Sequence, residues 1–158
     1  MEGKLEPKAA IGYLLQHVAQ TVGQQSNQVL QEQLGLGMAQ FRILLLLQEQ
    51  PKLLQRQLAD HLGQTEASIS RQIKLLAEKG MLAVHNNPQS KREHVTALTP
   101  KGAKITEAAQ DILLRYQDAM YQRLTEKQQK QLLDTLGTIH AWACQPGKFV
   151  ACDHPYQI

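Results

Sequence analysis

Leu53-Leu54-Gln55-Arg56-Gln57-Leu58-Ala59-Asp60-His61-Leu62-Gly63 and, after Gln64, Thr65-Glu66-Ala67-Ser68-Ile69-Ser70-Arg71-Gln72-Ile73-Lys74-Leu75-Leu76-Ala77-Glu78-Lys79-Gly80 decide the reading of this chain. Both segments place apolar residues at helical spacing, and a three-residue turn joins them. Gly63 and Gly80 stand where a helix C-terminus needs a left-handed residue. Two strand-like segments follow, near Met81 to His85 and near Glu93 to Leu98, which predicts a β-hairpin. Helix, turn, helix and hairpin in this order are the layout of a winged helix-turn-helix. That layout can lay a polar helix face in the major groove of DNA.

Outward from this stretch the chain reads as helix. Ile11, Leu14, Leu15, Val18, Val22, Val29 and Leu30 recur at helical spacing between Pro7 and Leu34, and Gly35-Leu36-Gly37 ends the run. A second helix is expected from Met38 to Glu49, stopping before Pro51. Thr99-Pro100 starts another, with Thr as N-cap and Pro at the first helical position, extending to about Arg123. Thr125-Glu126-Lys127-Gln128 fits a capping box ahead of the last helix, which carries Leu132, Leu133, Leu136, Ile139 and Ala143 and ends before Pro146-Gly147. The fold class expected is mainly α with a small β-hairpin wing. Residues 37–99 form the DNA-binding lobe, 1–36 and 100–146 the dimerisation helices, and 147–158 a tail. A winged module needs only about three helices. The extra terminal helices need cover for their apolar faces, and packing across a two-fold axis is the simplest solution.

Totals agree. A length of 158 residues with 42% hydrophobic and only 4% aromatic residues suits one aliphatic-cored domain or two small lobes. No apolar run approaches the ~20 residues of a membrane span. The N-terminus lacks an apolar signal region, so a cytoplasmic protein is expected. The net charge of +3 is unevenly spread: Lys52 to Lys104 holds nine Lys/Arg against four Asp/Glu, net +5, and the rest holds eight against ten, net −2. The basic excess coincides with the helix-turn-helix and hairpin, as a nucleic-acid surface requires.

In the second helix of the motif, Ile69, Ile73 and Leu76 are spaced to face the core, leaving Ser68, Ser70, Arg71, Gln72 and Lys74 on more exposed faces. With Thr65 at the helix start they are the candidate DNA contacts. Arg suits guanine O6 and N7, Gln suits adenine N6 and N7, and Ser hydroxyls suit phosphates. The expected hairpin loop, Asn86 to Arg92, carries Lys91 and Arg92, two charges that can reach the adjacent minor groove.

At this point the chain resembles the MarR family of transcriptional regulators over about residues 35 to 143. The resemblance rests on Gln40-Phe41-Arg42-Ile43-Leu44, Leu58-Ala59, Ser68-Ile69-Ser70-Arg71, Glu78-Lys79-Gly80-Met81-Leu82 and Leu98-Thr99-Pro100-Lys101-Gly102. It implies a homodimer on a palindromic operator in duplex DNA, released by a small aromatic or lipophilic effector or by a redox signal. The implied effector pocket lies between the dimerisation helices and the DNA lobe, with Tyr13, His17, Phe41, Tyr116 and Trp142 as candidate linings. The family's wing usually carries Asp where this chain has Ser90, and often Arg where it has Val84. A partner that would orient Arg92 is therefore missing, and His85 and His94 are candidates for part of its role.

His140, Cys144, Cys152 and His154 are weak candidates for a soft metal site, and the two cysteines for an oxidative disulfide. A thiol or metal sensor is thus one alternative. A winged-helix protein-interaction module without specific DNA binding is another. No Gly-rich phosphate loop and no G-x-S-x-G is present, so neither an enzyme nor a cofactor is expected.

Overall fold

The structure is a computed structural model that describes residues 6–87 and 89–143, without the side chains of Asn87, Lys91, Arg92 and Glu93. The elements are α1 (Pro7–Leu34), α2 (Met38–Glu49), β1 (Leu53–Leu54), α3 (Gln55–Leu62), α4 (Glu66–Glu78), β2 (Leu82–Asn87), β3 (Ser90–Leu98), α5 (Pro100–Tyr121) and α6 (Glu126–Ala143). Among the described residues no helix is long and apolar enough to cross a membrane. The chain divides into two compact units inside α5, one ending at Leu113 and one beginning at Leu114.

The first unit holds the core. α1 begins with Pro7 in its first turn and ends at Gly35, whose φ of 60° is the left-handed conformation that a side chain would strain. Only Ser26 and Leu30 of α1 are buried. α2 follows at once; its Met38 N–H is held by Asn27 Oδ1 at 2.8 Å, and its residues Phe41, Ile43, Leu44, Leu46 and Leu47 enter the core. α2 packs on α3, α4 and β3. α5 opens with Thr99, whose hydroxyl accepts from Gly102 N–H at 3.0 Å and donates to Gly80 O at 2.7 Å. Its face Gly102, Thr106, Ala109 and Leu113 is buried at the spacing of one helix side.

The sheet is antiparallel in the order β1-β3-β2, and two details differ from the sequence expectation. Leu53 and Leu54 do not open the helix. They form β1, paired with Thr96 and Val95, and Leu53 is buried. Pairing with β3 uses their backbone groups, and Gln57 Oε1 accepts from the Leu54 N–H at 2.9 Å, so α3 starts only at Gln55. The hairpin arms also run further than expected, β2 to Asn87 and β3 from Ser90. Lys91 and Arg92 therefore lie on β3 rather than in a loop. The register is irregular where Asn86 pairs with His94 but Asn87 pairs with Ser90, so residues 91–93 form an insertion in β3, a bulge that increases local twist.

The second unit contains the end of α5 and all of α6. Thr125 caps α6 reciprocally: its hydroxyl accepts from Gln128 N–H at 3.3 Å, and Gln128 Oε1 accepts from Thr125 N–H at 2.9 Å. Gln129 Nε2 donates to Tyr121 O and Leu124 O, tying the bend between the helices. No residue of α6 is buried.

Candidate nucleic-acid interface

Three buried side chains fix the orientation of α4. Ile69, Ile73 and Leu76 are 0–1% exposed, so the remaining faces of the helix turn outward by the 100° step between residues. Thr65, Ser70, Arg71 and Lys74 are exposed, and Ser68 and Gln72 are half-buried. Among the described residues Arg71 and Lys74 take neither a hydrogen bond nor an ion pair, so their charges stand open to solvent.

The start of α4 is built locally. Thr65, in extended conformation, accepts the Ser68 N–H on its hydroxyl at 3.2 Å. This satisfies one of the amides that every helix N-terminus leaves unpaired. Gly63, at φ 61°, reverses the chain after α3. Lys79 at the other end donates its ammonium to Gly35 O at 2.9 Å, and Lys101 donates to Lys79 O at 2.7 Å. The N-terminus of α4 is thus capped by its own Thr65 and its C-terminus is tied to neighbouring elements, as a helix that must present a fixed face requires.

A groove of about 540 Å³ runs along one flank of α4, lined by Gln55, Ser70, Ile73, Lys74, Ala77, Glu78 and Val84. Ser70 and Lys74 therefore face β2, while Ser68 and Gln72 lie on the opposite flank. Sequence reasoning named Val84 as a departure from the family's wing and Glu78 within the resemblance, and gave neither of them, nor Gln55, a place in the site. The spacing of Ser70, Lys74 and Glu78 was a readable signal for one strip, but the approach of β2 to it was not.

The remaining candidates are dispersed. His85 and His94 are exposed on adjacent rungs of the hairpin, opposite Val95 and Asn86, and point to opposite faces. Tyr13 and His17 stack on α1 with ring centroids 5.6 Å apart and planes 5° from parallel. Phe41 is buried in the first unit's core, and Tyr116 and Trp142 belong to the second unit. His140 lies on α6, and Cys144, Cys152 and His154 fall outside the described residues. Among the described residues no three His, Cys, Asp or Glu side chains gather as a metal site would need.

Comparison with known proteins fits this geometry. A model of the MarR family matches residues 34–93, the segment from the end of α1 into the hairpin. Over 137 residues the chain is 28% identical to an HTH-type transcriptional repressor of Mycobacterium tuberculosis, covering 85% of this chain and 98% of that protein. The crystal structure of apo wild-type MarR from E. coli superimposes with a TM-score of 0.76 at 23% identity, covering 87% of this chain and 98% of the other. A mutant of MepR from S. aureus bound to an oligodeoxyribonucleotide aligns with a TM-score of 0.58 at 25% identity, over 84% and 96% of the two chains. The relatives are regulators of transcription rather than enzymes. The outward basic face of α4, the hairpin beside it and these likenesses converge: the chain is similar to the winged-helix transcriptional regulators of the MarR family, whose model it matches over residues 34–93.

Proposed function

We propose that the protein is a homodimeric repressor that binds a palindromic operator in duplex DNA and is released by a small aromatic or lipophilic effector. The observation that carries the DNA reading is α4 itself, with Ile69, Ile73 and Leu76 buried and Arg71 and Lys74 unpaired on the outward side. In this reading residues 37–99 bind DNA. Thr65, Ser68, Ser70, Arg71, Gln72 and Lys74 form the DNA-facing set on and before α4, and Lys91 and Arg92 follow from the hairpin. The helices of residues 1–36 and 100–146 join two copies. Support for the second copy comes from aliphatic side chains left in solvent: Ile11, Leu14 and Val18 on α1, and Leu132, Leu133 and Leu136 on α6. A DNA-bound regulator of this kind works in the cytoplasm.

Release follows from symmetry. Two recognition helices enter successive major grooves only when about 34–36 Å apart. An effector that binds better to a dimer of another spacing lowers operator affinity by that difference in affinity. Tyr13, His17, Phe41 and Tyr116 remain the candidates to meet it.

The test is Arg71→Ala in a titration of operator DNA. Operator affinity is expected to fall by about 1–3 kcal/mol with relaxed sequence preference. Unchanged operator binding would remove α4 from the role assigned to it.

A further inference from the structure

We propose that Gln64 binds a DNA backbone phosphate and that Ser68 is the residue that positions it. The proposal rests on the DNA-binding reading above and assigns a role to a side chain in the turn between α3 and α4.

Gln64 is held from both helices. Its backbone N–H donates to Ala59 O at 3.0 Å, next to the Gly63 N–H bond to Asp60 O at 3.3 Å, which fixes it against the C-terminus of α3. Its side chain is fixed by α4, because the Ser68 hydroxyl donates to Gln64 Oε1 at 3.2 Å. Ser68 is in turn placed by the bond from its N–H to Thr65 Oγ1 at 3.2 Å. The Gln64 carbonyl end is therefore engaged, and among the described residues its Nε2 makes no hydrogen bond.

That asymmetry selects the partner. A glutamine reads adenine by accepting from N6 and donating to N7 at once. Ser68 takes one lone pair of Oε1 and pins the amide, so the end that Gln64 presents is the Nε2 donor, which suits a phosphate oxygen. The turn ahead of a recognition helix lies towards the sugar-phosphate strand, while the helix itself meets base edges. Donors on that strand hold register without reading sequence. Gln72 differs: it lies four residues beyond Ser68 on the same flank, and neither end of its amide is engaged among the described residues. It keeps the two-ended geometry that adenine needs. The strip Gln64, Ser68, Gln72 thus divides into a backbone donor, its positioning residue and a base reader. Ser68, with its hydroxyl proton given to Gln64, acts on DNA through that neighbour.

The experiment compares full-length wild type, Gln64→Ala, Gln64→Lys, Ser68→Ala and the Gln64→Ala/Ser68→Ala double variant. Each is titrated by fluorescence anisotropy against the duplex upstream of its own coding sequence and against a scrambled duplex of equal length, with thermal melting as a control for folding. A hydrogen bond to a charged acceptor sets the scale, so Gln64→Ala should weaken binding to both duplexes by a similar factor of about ten. Gln64→Lys, a donor without an acceptor, should retain affinity on both. Ser68→Ala should weaken both duplexes less, and should add nothing in the Gln64→Ala background. Unchanged affinity in Gln64→Ala overturns the proposal. So does a loss confined to the native duplex, which would make Gln64 a base reader, and so does full additivity with Ser68→Ala. Wild type that binds both duplexes equally overturns the operator reading and leaves the phosphate proposal standing on the common loss. Wild type that binds neither overturns both.

Discussion

α4 and α6 both carry a face of aliphatic side chains and dispose of it in opposite ways. In α4, Ile69, Ile73 and Leu76 disappear into a core supplied by α2, α3 and β2. In α6, Leu132, Leu133 and Leu136 keep 41%, 47% and 38% of their surface. The N-terminal half of α1 repeats the pattern, with Ile11 and Leu14 more than half exposed. A fully buried Leu or Ile stabilises by about 1.5–3 kcal/mol relative to an exposed one, so the unused faces represent a large potential gain that only another surface can supply. The winged lobe closes on itself and presents a rigid polar helix. The terminal helices leave theirs exposed, which suits the dimer proposed above. In that proposal reading and pairing are separate properties of separate residues, and substitutions should divide them.

The largest effect should come from the open faces. Leu14→Asp combined with Val18→Asp places four carboxylates in the proposed two-fold interface. Dimerisation should weaken by more than about 5 kcal/mol, leaving a monomer in sedimentation equilibrium with a folded winged lobe. A variant that stays dimeric would take α1 out of the interface. Within the closed lobe, Ile73→Ala removes buried methyl groups and should lower unfolding stability by about 2–5 kcal/mol, read from the denaturant midpoint. A cost below about 1 kcal/mol would mean that the lobe is loosely packed and that the comparison fails on its closed side.

Gly102 sharpens the same contrast. A Cβ there would press into the Met81 carbonyl and sit 3.0 Å from Leu98 Cδ2, so Gly102→Ala should destabilise the lobe by about 1–3 kcal/mol. An Ala replacement on α6 such as Gln131→Ala has no neighbour to offend and should be neutral. The smallest effect is a gain. Thr96 is 0% exposed in the middle of the sheet, and among the described residues its hydroxyl has no hydrogen-bond partner. Thr96→Val removes that orphan at equal volume and should raise stability by about 1 kcal/mol in thermal melting.

What the sequence disclosed follows the range of the forces involved. α1 and α2 are bounded where local signals stand, Pro7 and Gly35 for one and the Gly37 and Pro51 punctuation for the other. The Thr99 and Thr125 caps are equally local, each bonding a residue three positions on. The apolar spacing of Ile69, Ile73 and Leu76 alone predicts which side of α4 is buried. β1 was illegible because its cause is distant: Leu53 and Leu54 are strand only because Val95 and Thr96 lie alongside. The extent of the hairpin was hidden for a similar reason, since polar residues such as Asn86 and Ser90 pair across the strands although their types favour turns. Gln64 gave a partial signal. Its spacing of four from Ser68 was visible, but which end of the amide is engaged depends on the turn geometry. Tyr13, His17, Phe41 and Tyr116 follow no shared period, so no local rule gathers them into a pocket.

The central claim is that α4 reads DNA as part of a regulator. The most direct test is binding of purified protein to the duplex upstream of its own gene, across a salt series with random competitor DNA. The account predicts preference for that duplex and a steep negative dependence of log K on log salt, set by the phosphates that the basic face neutralises. Weak binding that ignores sequence would contradict it, and would favour a winged-helix module that meets protein partners instead.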